Sequence, residues 1–257
     1  MKLNRFRISI FTLTYIFIAL ISNHLFYLSI FYFICLFHEL FHYFMAKALN
    51  IYVDEMVLYP FGFVLKINTL IYEKEWKQYL VLIFGPLSFF FSYSIIEILK
   101  YYDCLSLYAY SYASKANLSI LVVNLLPIYP LDGEKILENL FSHFFDELKT
   151  RYFRLIISFI TLILAIYMMF SLGNLISFVF LMIILIKELF VVKKEYILYL
   201  IKRVNMKFYV KQRIVKKDVI YRFYDNYKFN GKYFEKENEI IKRIIKKEKK
   251  LKKECLD

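Results

Sequence analysis

Glycine and proline are scarce in this chain, at 5 and 4 of 257 residues. That scarcity goes with the lack of any internal repeat or low-complexity linker, and it makes each glycine and proline a marked position. The cysteines, Cys35, Cys104 and Cys255, are odd in number and scattered, which excludes a disulfide framework. Cys35 and His38 have a spacing at which metal ligands occur, but a buried inert thiol is the simpler role for Cys35. Histidine occurs four times, as His24, His38, His42 and His143. The apolar run from Ile8 to Ile21 follows Lys2, Arg5 and Arg7 like a signal peptide. No small-residue cleavage site follows it and further apolar segments come at once, so it reads as a membrane helix.

What the chain does have is apolar length. Hydrophobic residues make up 60%, aromatic residues 21%, and the mean hydropathy is +0.49. They come in long blocks rather than at helical or strand period, the pattern of a multi-pass membrane protein. Six spans are expected, over about 6–22, 25–49, 79–99, 116–126, 155–171 and 175–192. The third contains Gly85-Pro86, where a kink is expected, and Lys100 to Ser114 reads as a polar loop. Between the second and third, Met56 to Ile67 is β-branched and aromatic with Pro60 and Gly62 at its middle, which predicts a small β-hairpin. Glu134 to Arg154 reads as an amphipathic connector, and Gly173-Asn174 as the turn between the last two spans. The expected fold class is therefore an all-α polytopic membrane protein of about six transmembrane helices, with a small β-hairpin after the second. Residues 1–192 form the membrane domain and 193–257 a basic cytoplasmic tail.

Charge is uneven. The chain carries a net +13, and Lys193 to Asp257 holds 21 Lys/Arg against 9 Asp/Glu. A basic tail beside a membrane domain is best read as positive-inside bias and attraction to the lipid bilayer surface; no nucleic acid is expected.

Within the second block lies Phe37-His38-Glu39-Leu40-Phe41-His42. On a helix, residues four apart sit about 40° apart around the axis, so His38 and His42 share a face. Two imidazoles there can bind one Zn²⁺, with Glu39 as general base. The simpler alternative is a hydrogen-bonded polar cluster that holds helices together, but ionisable groups inside a span are costly and default to function.

A catalytic zinc usually takes three protein ligands. Six spans put both termini on one side, which the basic ends make cytoplasmic. The second and fourth spans then approach that side at their C-terminal ends. Glu97 and His24 fall at the outer side, His143 in a connector, and Glu188 beside Lys187. Asp132, in the rigid Pro130-Leu131-Asp132-Gly133 frame after the fourth span, is the third ligand of choice. By itself, Asp before Gly is an ordinary turn.

These residues together resemble the site-2 protease family of intramembrane zinc metalloproteases, in its short six-span form, the stage IV sporulation protein FB type. The matching features are Phe37–His42 with Ala46-Lys47-x-Leu49-Asn50, then Phe84-Gly85-Pro86-Leu87, then Asn124 to Gly133. The similarity covers about residues 1–192. It implies one Zn²⁺ per chain held by His38, His42 and Asp132, Glu39 as the base, and Asn124 as a substrate-positioning residue. It implies cleavage of a membrane-tethered regulatory protein such as the pro-form of a sporulation sigma factor, with inhibitory or regulatory membrane proteins as further partners. Two positions depart from the family: Phe41 stands where glycine is usual, and Glu134-Lys135 where Gly-Arg is usual. The tail is too short for a paired CBS domain, and a degenerate CBS-like remnant fits around Val215–Phe234. A catalytically inactive scaffold or a metal transporter would use the same polar cluster without proteolysis.

Overall fold

A computed structural model describes residues 5–169, 176–204 and 212–254. The chain is mostly helical and divides into two units, Met1–Leu126 and Pro127–Asp257. The Gly173-Asn174 turn lies outside the described residues.

In the first unit, strand β1 (Phe6–Ile8) leads into helix α1 (Ile10–Ile21), and α2 (Leu25–Ala48) follows. Strands β2 (Glu55–Tyr59) and β3 (Gly62–Lys66) precede α3 (Glu75–Tyr101) and α4 (Leu107–Leu125). The sheet order is β1-β2-β3, the first pair parallel and the second antiparallel, with Tyr59 opposite Gly62 across the Pro60-Phe61 turn. Gly62 has φ +133°, and a β-carbon there would lie 3.0 Å from the Cys35 sulfur. Cys35 is thus buried under the turn, as an inert thiol should be.

The shortage of glycine has a structural answer. Helices commonly end on a left-handed residue, usually glycine. Here Asn23, Asn50 and Asp103 take that place, with φ of 57°, 57° and 53° after α1, α2 and α3. At each end the amide of the following residue bonds a carbonyl five back: His24 to Ala19, Ile51 to Ala46 and Cys104 to Leu99, at 2.8–2.9 Å. Short polar side chains tolerate this conformation better than other non-glycine residues.

Several expected boundaries move. The first span is expected over Phe6–Ser22, but Phe6–Ile8 pairs with β2 as a strand, leaving α1 only 12 residues. At about 1.5 Å per residue such a helix rises roughly 18 Å, short of the ~30 Å of a hydrocarbon core. Thr12 bonds the Leu58 carbonyl at 2.8 Å and ties α1 to the sheet. Helix α3 is continuous through Pro86. The expected loop before residue 115 is already helical from Leu107, with Ser106 capping the Ala109 amide at 3.2 Å. Among the described residues, α2 and α3 are long and apolar enough to cross a membrane.

Two clusters hold this unit. Ile34, Cys35, Ile96, Ala113, Ala116 and Ile120 pack α2, α3 and α4 together. Ala46, Ile51, Val53, Met56, Leu65 and Val81 join the end of α2 and the sheet to α3. Between α3 and α4, Ser92 donates to the Asn117 side-chain oxygen at 2.9 Å, and Asn117 donates to the Phe89 carbonyl at 3.1 Å. Such paired polar groups add directionality where apolar packing has none.

The second unit holds α5 (Asp132–Phe141), α6 (Glu147–Met169) and α7 (Ile176–Arg203), then strands β4 (Gln212–Val215), β5 (Asp225–Phe229) and β6 (Phe234–Glu235), and α8 (Glu237–Glu254). The expected connector over 134–154 is therefore mostly helix, and α7 runs without a break past residue 192. Strand β5 pairs parallel with β4 and antiparallel with β6, while Ile220, Ile240 and Ile241 are fully buried.

This unit buries charge heavily. Glu147 accepts from Arg151 at 2.8 Å and from Arg222 at 2.8 Å, and Glu138 pairs with Arg222 and Arg154. Burial alone would raise the pKa of both glutamates, but the facing guanidinium groups outweigh it and hold both below the ordinary carboxylate value. Groups whose folded pKa is depressed add stability above the unfolded value, lost as pH falls through the folded one. Hydrogen exchange of residues 212–248, corrected for its intrinsic pH dependence, should therefore stay slow from pH 7 to 5 and accelerate as the pH falls further. Glu147→Gln should flatten that acid dependence.

Candidate metal centre

The centre is built on α2. Its 24 residues contain no glycine or proline, so His38 and His42 stand one turn apart on a single buried face. Their Nε2 atoms approach to 3.3 Å with the rings edge to face, at 4.9 Å between centroids. Ligand atoms of His38, Glu39 and His42 all lie within 4.8 Å of one another.

Helix α3 orients both rings. His42 Nδ1 lies 2.7 Å from the Val81 carbonyl. A carbonyl only accepts, so Nδ1 carries the proton and Nε2 keeps its lone pair. Ser88 Oγ lies 3.5 Å from His38 Nδ1 and supports the same orientation in the other ring. Backbone and hydroxyl groups in this place fix the tautomer of metal-binding histidines.

Gly85 makes room for this arrangement. A β-carbon on Gly85 would sit 2.0 Å from His42 Nε2 and 2.2 Å from its Cε1. The close approach of helix α3 thus falls at Gly85, and the ring of Phe41 fills a different space, 5.1 Å from both Phe37 and Phe91. Phe41 adds aromatic packing between α2 and α3 and leaves the histidines their position.

Glu39 is half-buried, and its Oε2 accepts from the Leu65 amide of β3 at 2.9 Å. Two nitrogens bound tetrahedrally to one zinc at about 2.0–2.1 Å would be roughly 3.3–3.4 Å apart. The observed separation of the two nitrogens fits that ion, and a third ligand is still needed.

Asp132 stands in the second unit as the first residue of α5, buried, where the helix N-terminus favours a carboxylate. Lys135 Nζ is 3.4 Å from its Oδ1. The irregular backbone before it is satisfied by α6: Ser158 Oγ accepts from the Tyr129 amide at 3.0 Å, and Thr161 donates to the Pro127 carbonyl at 3.2 Å. Ile128 is fully buried. Asn124, near the end of α4, donates to the Ile120 carbonyl at 3.0 Å. Glu134, where the family usually has glycine, is buried and paired with Arg154 at 3.2 Å. Glu188 is held by the same arginine at 2.7 Å, Glu97 accepts from Tyr110 at 2.7 Å, and the His143 ring packs on Phe223.

A family model described as Peptidase family M50 matches residues 105–168, the stretch from the start of α4 through Asn124 and Asp132 into α6. Over that stretch the chain is similar to peptidase family M50. A relative, Stage IV sporulation protein FB of Bacillus subtilis (strain 168), is 32% identical over 125 residues, which is 49% of this chain and 43% of the relative. The chain thus spans less than half the length of that curated relative. The fold matches the Site-2 Protease from Methanocaldococcus jannaschii with a TM-score of 0.56 at 20% identity, over 76% of this chain and 93% of that one. The family match does not reach the His38-Glu39-His42 cluster, which lies in α2.

Residue spacing alone points to the His38, Glu39 and His42 cluster. It marks Gly85 only as part of a kink and misses the Val81 carbonyl, Ser88 and the Leu65 amide. Gly85 and the serines are visible as rare small or polar residues in an apolar helix. A backbone carbonyl carries no sequence signal at all. Gly85→Ala should displace the His42 ring and lower zinc affinity by about tenfold or more. Alanine favours a helix, so α3 itself should persist. Zinc retained after dialysis checks this, and wild-type retention would show that the ring has room to move.

Proposed function

We propose that the protein is an intramembrane zinc metalloprotease that cleaves a membrane-tethered regulatory protein. The observation that carries this reading is the convergence of His38 and His42 Nε2 at 3.3 Å beside Glu39, on an apolar helix of membrane-spanning length. The match of residues 105–168 to peptidase family M50 supports the same reaction class.

In this proposal His38, His42 and Asp132 hold one zinc per chain. Zinc, when bound, supplies Lewis acidity toward the scissile carbonyl and the attacking water. Glu39 takes the proton from that water at its carboxylate and passes it to the leaving amine. The amide of Leu65 holds the Glu39 carboxylate in one orientation until it acts. Asn124 would steady the substrate backbone near the scissile bond. A helical substrate hides its peptide bonds and must unwind before attack, and the site must admit water.

The layout belongs to the proposal as well: six spans, both termini and the site toward the cytoplasm, and the 193–257 segment as a basic module at the lipid surface. The likeness to Stage IV sporulation protein FB makes the pro-form of a sporulation sigma factor the first substrate to try. Membrane proteins that inhibit or regulate the enzyme would be further partners.

Co-expression with a tagged, membrane-tethered candidate substrate tests the activity. Wild type should release a shortened product. Glu39→Gln should reduce the rate by about 10²–10⁴-fold while zinc content is kept, since Glu39 is not a ligand. Equal cleavage by both proteins would sink the proteolytic reading, and zinc uptake into vesicles would favour transport.

A further inference from the structure

The chemistry proposed at the two histidines uses none of the buried arginines of the second unit. Arg151, Arg154, Arg203 and Arg222 are 5%, 6%, 1% and 2% exposed. Burying a guanidinium is expensive, and apolar residues of similar volume would often stabilise a fold as well. What these arginines touch is therefore informative.

Helix α5 has only ten residues, and its buried ones are Asp132, Glu134, Glu138 and Asn139. A helix so short does not hold itself in water, so its position depends on tertiary contacts. Apart from Asp132, every one of those buried residues is held by an arginine. Arg154 of α6 reaches Glu134 at 3.2 Å and Glu138 at 3.3 Å. Arg222 comes from the turn between β4 and β5. It donates to Asn139 Oδ1 at 3.0 Å, pairs with Glu138, and reaches Glu147 of α6 at 2.8 Å. Asn139 and Asp132 are seven residues apart, so they lie within about 20° of one another around the helix axis.

Arg222 is itself anchored. Its carbonyl accepts from Arg203 of α7 at 2.7 Å, and Arg203 pairs with Glu237 at the start of α8. A continuous set of contacts thus runs from α8 through Arg203 and Arg222 to the end of α5, whose other end carries Asp132.

We infer that Arg222 is a positioning residue for Asp132: the C-terminal module grips α5 through it and sets how the Asp132 carboxylate is presented to zinc. The inference rests on the reading of Asp132 as a ligand. The 193–257 segment then acts on the enzyme's metal affinity as well as on its surface charge. Only a forked, planar guanidinium can hold Asn139, Glu138 and Glu147 at once, so lysine is not an equivalent.

The test is a double-mutant cycle on the full-length, detergent-solubilised protein, reading zinc affinity by competition with a chromophoric chelator. Arg222→Lys should weaken zinc binding by about tenfold, the scale of other groups that orient a ligand. It should lower kcat more than KM for a membrane-tethered peptide. Asn139→Ala leaves every ion pair in place and cuts one grip on α5, so it should weaken zinc binding in the same direction with the fold intact by circular dichroism. Asp132→Asn alone should weaken zinc binding more than either, and adding Arg222→Lys to it should cost nothing further, because coupled residues are non-additive. If Arg222→Lys or Asn139→Ala weakens binding by the same factor in the Asp132→Asn background, the positioning role is overturned and Arg222 is structural only. Unchanged affinity in both single variants overturns it too. Unchanged affinity in Asp132→Asn alone removes the ligand reading, and the inference with it, which the cycle reports separately.

Discussion

An imidazole inside an apolar helix needs a partner for its second nitrogen, and in this protein the need is met by one backbone carbonyl. The Val81 carbonyl accepts a hydrogen bond from His42 Nδ1 at 2.7 Å. That bond fixes the tautomer, leaves Nε2 with its lone pair, and turns the ring toward His38. It forms only if α2 and α3 come close, and Gly85 is where they do, since a β-carbon there would overlap the ring. Strand β3 packs through Leu65 against the end of α2, with the Leu65 amide on Glu39.

The second unit solves a different problem. The segment from Pro127 to Leu131 leaves the helix of α4 and needs its backbone groups satisfied by protein. Ser158 and Thr161 of α6 do this, and burial of Ile128 holds the segment in place. Asp132 follows at the head of α5, whose remaining buried residues are charged or amide-bearing and are matched by Arg154 and Arg222. Polar pairing in place of apolar packing makes the position of α5 directional, since hydrogen bonds to a guanidinium fork are satisfied in few orientations.

Much of this is legible in the order of residues. His38, Glu39 and His42 follow from a four-residue spacing, and the β-branched, Pro/Gly-split stretch after α2 forms β2 and β3. The boundaries that differ share a cause. Apolar, aromatic segments such as Phe6–Ile8 suit a membrane helix and a strand equally well, and only pairing with Met56–Leu58 decides between them. Leu107–Ser114, rich in tyrosine and serine, resembles a loop by composition, and packing of Ala109 and Ala113 makes it helical. Pro86 suggests an interruption, yet α3 continues through it. The 193–257 segment mixes tyrosine and phenylalanine with charge, so by composition a small folded module and a disordered arm fit it equally. Its buried residues, among them Ile220, Ile240, Ile241 and Arg222, organise it.

By itself the sequence determined the chemistry available: two imidazoles and a carboxylate on one turn of an apolar helix, and a third carboxylate in a proline-bounded frame. Residue type and local spacing carry that information, because helical period is a property of the chain alone. The tertiary structure decided which nitrogen of His42 meets the Val81 carbonyl, that the Phe41 ring packs on Phe91, and that Arg222 reaches α5 across 83 residues of sequence to Asn139. Those outcomes depend on backbone carbonyls, on the space beside Gly85 and on contacts between distant segments. Apart from Gly85 itself, none of them has a local signature in the order of residues. The motif at His38–His42 marks a candidate metal site, and the approach of α3 at Val81 and Gly85 gives its imidazoles a geometry that fits a metal ion.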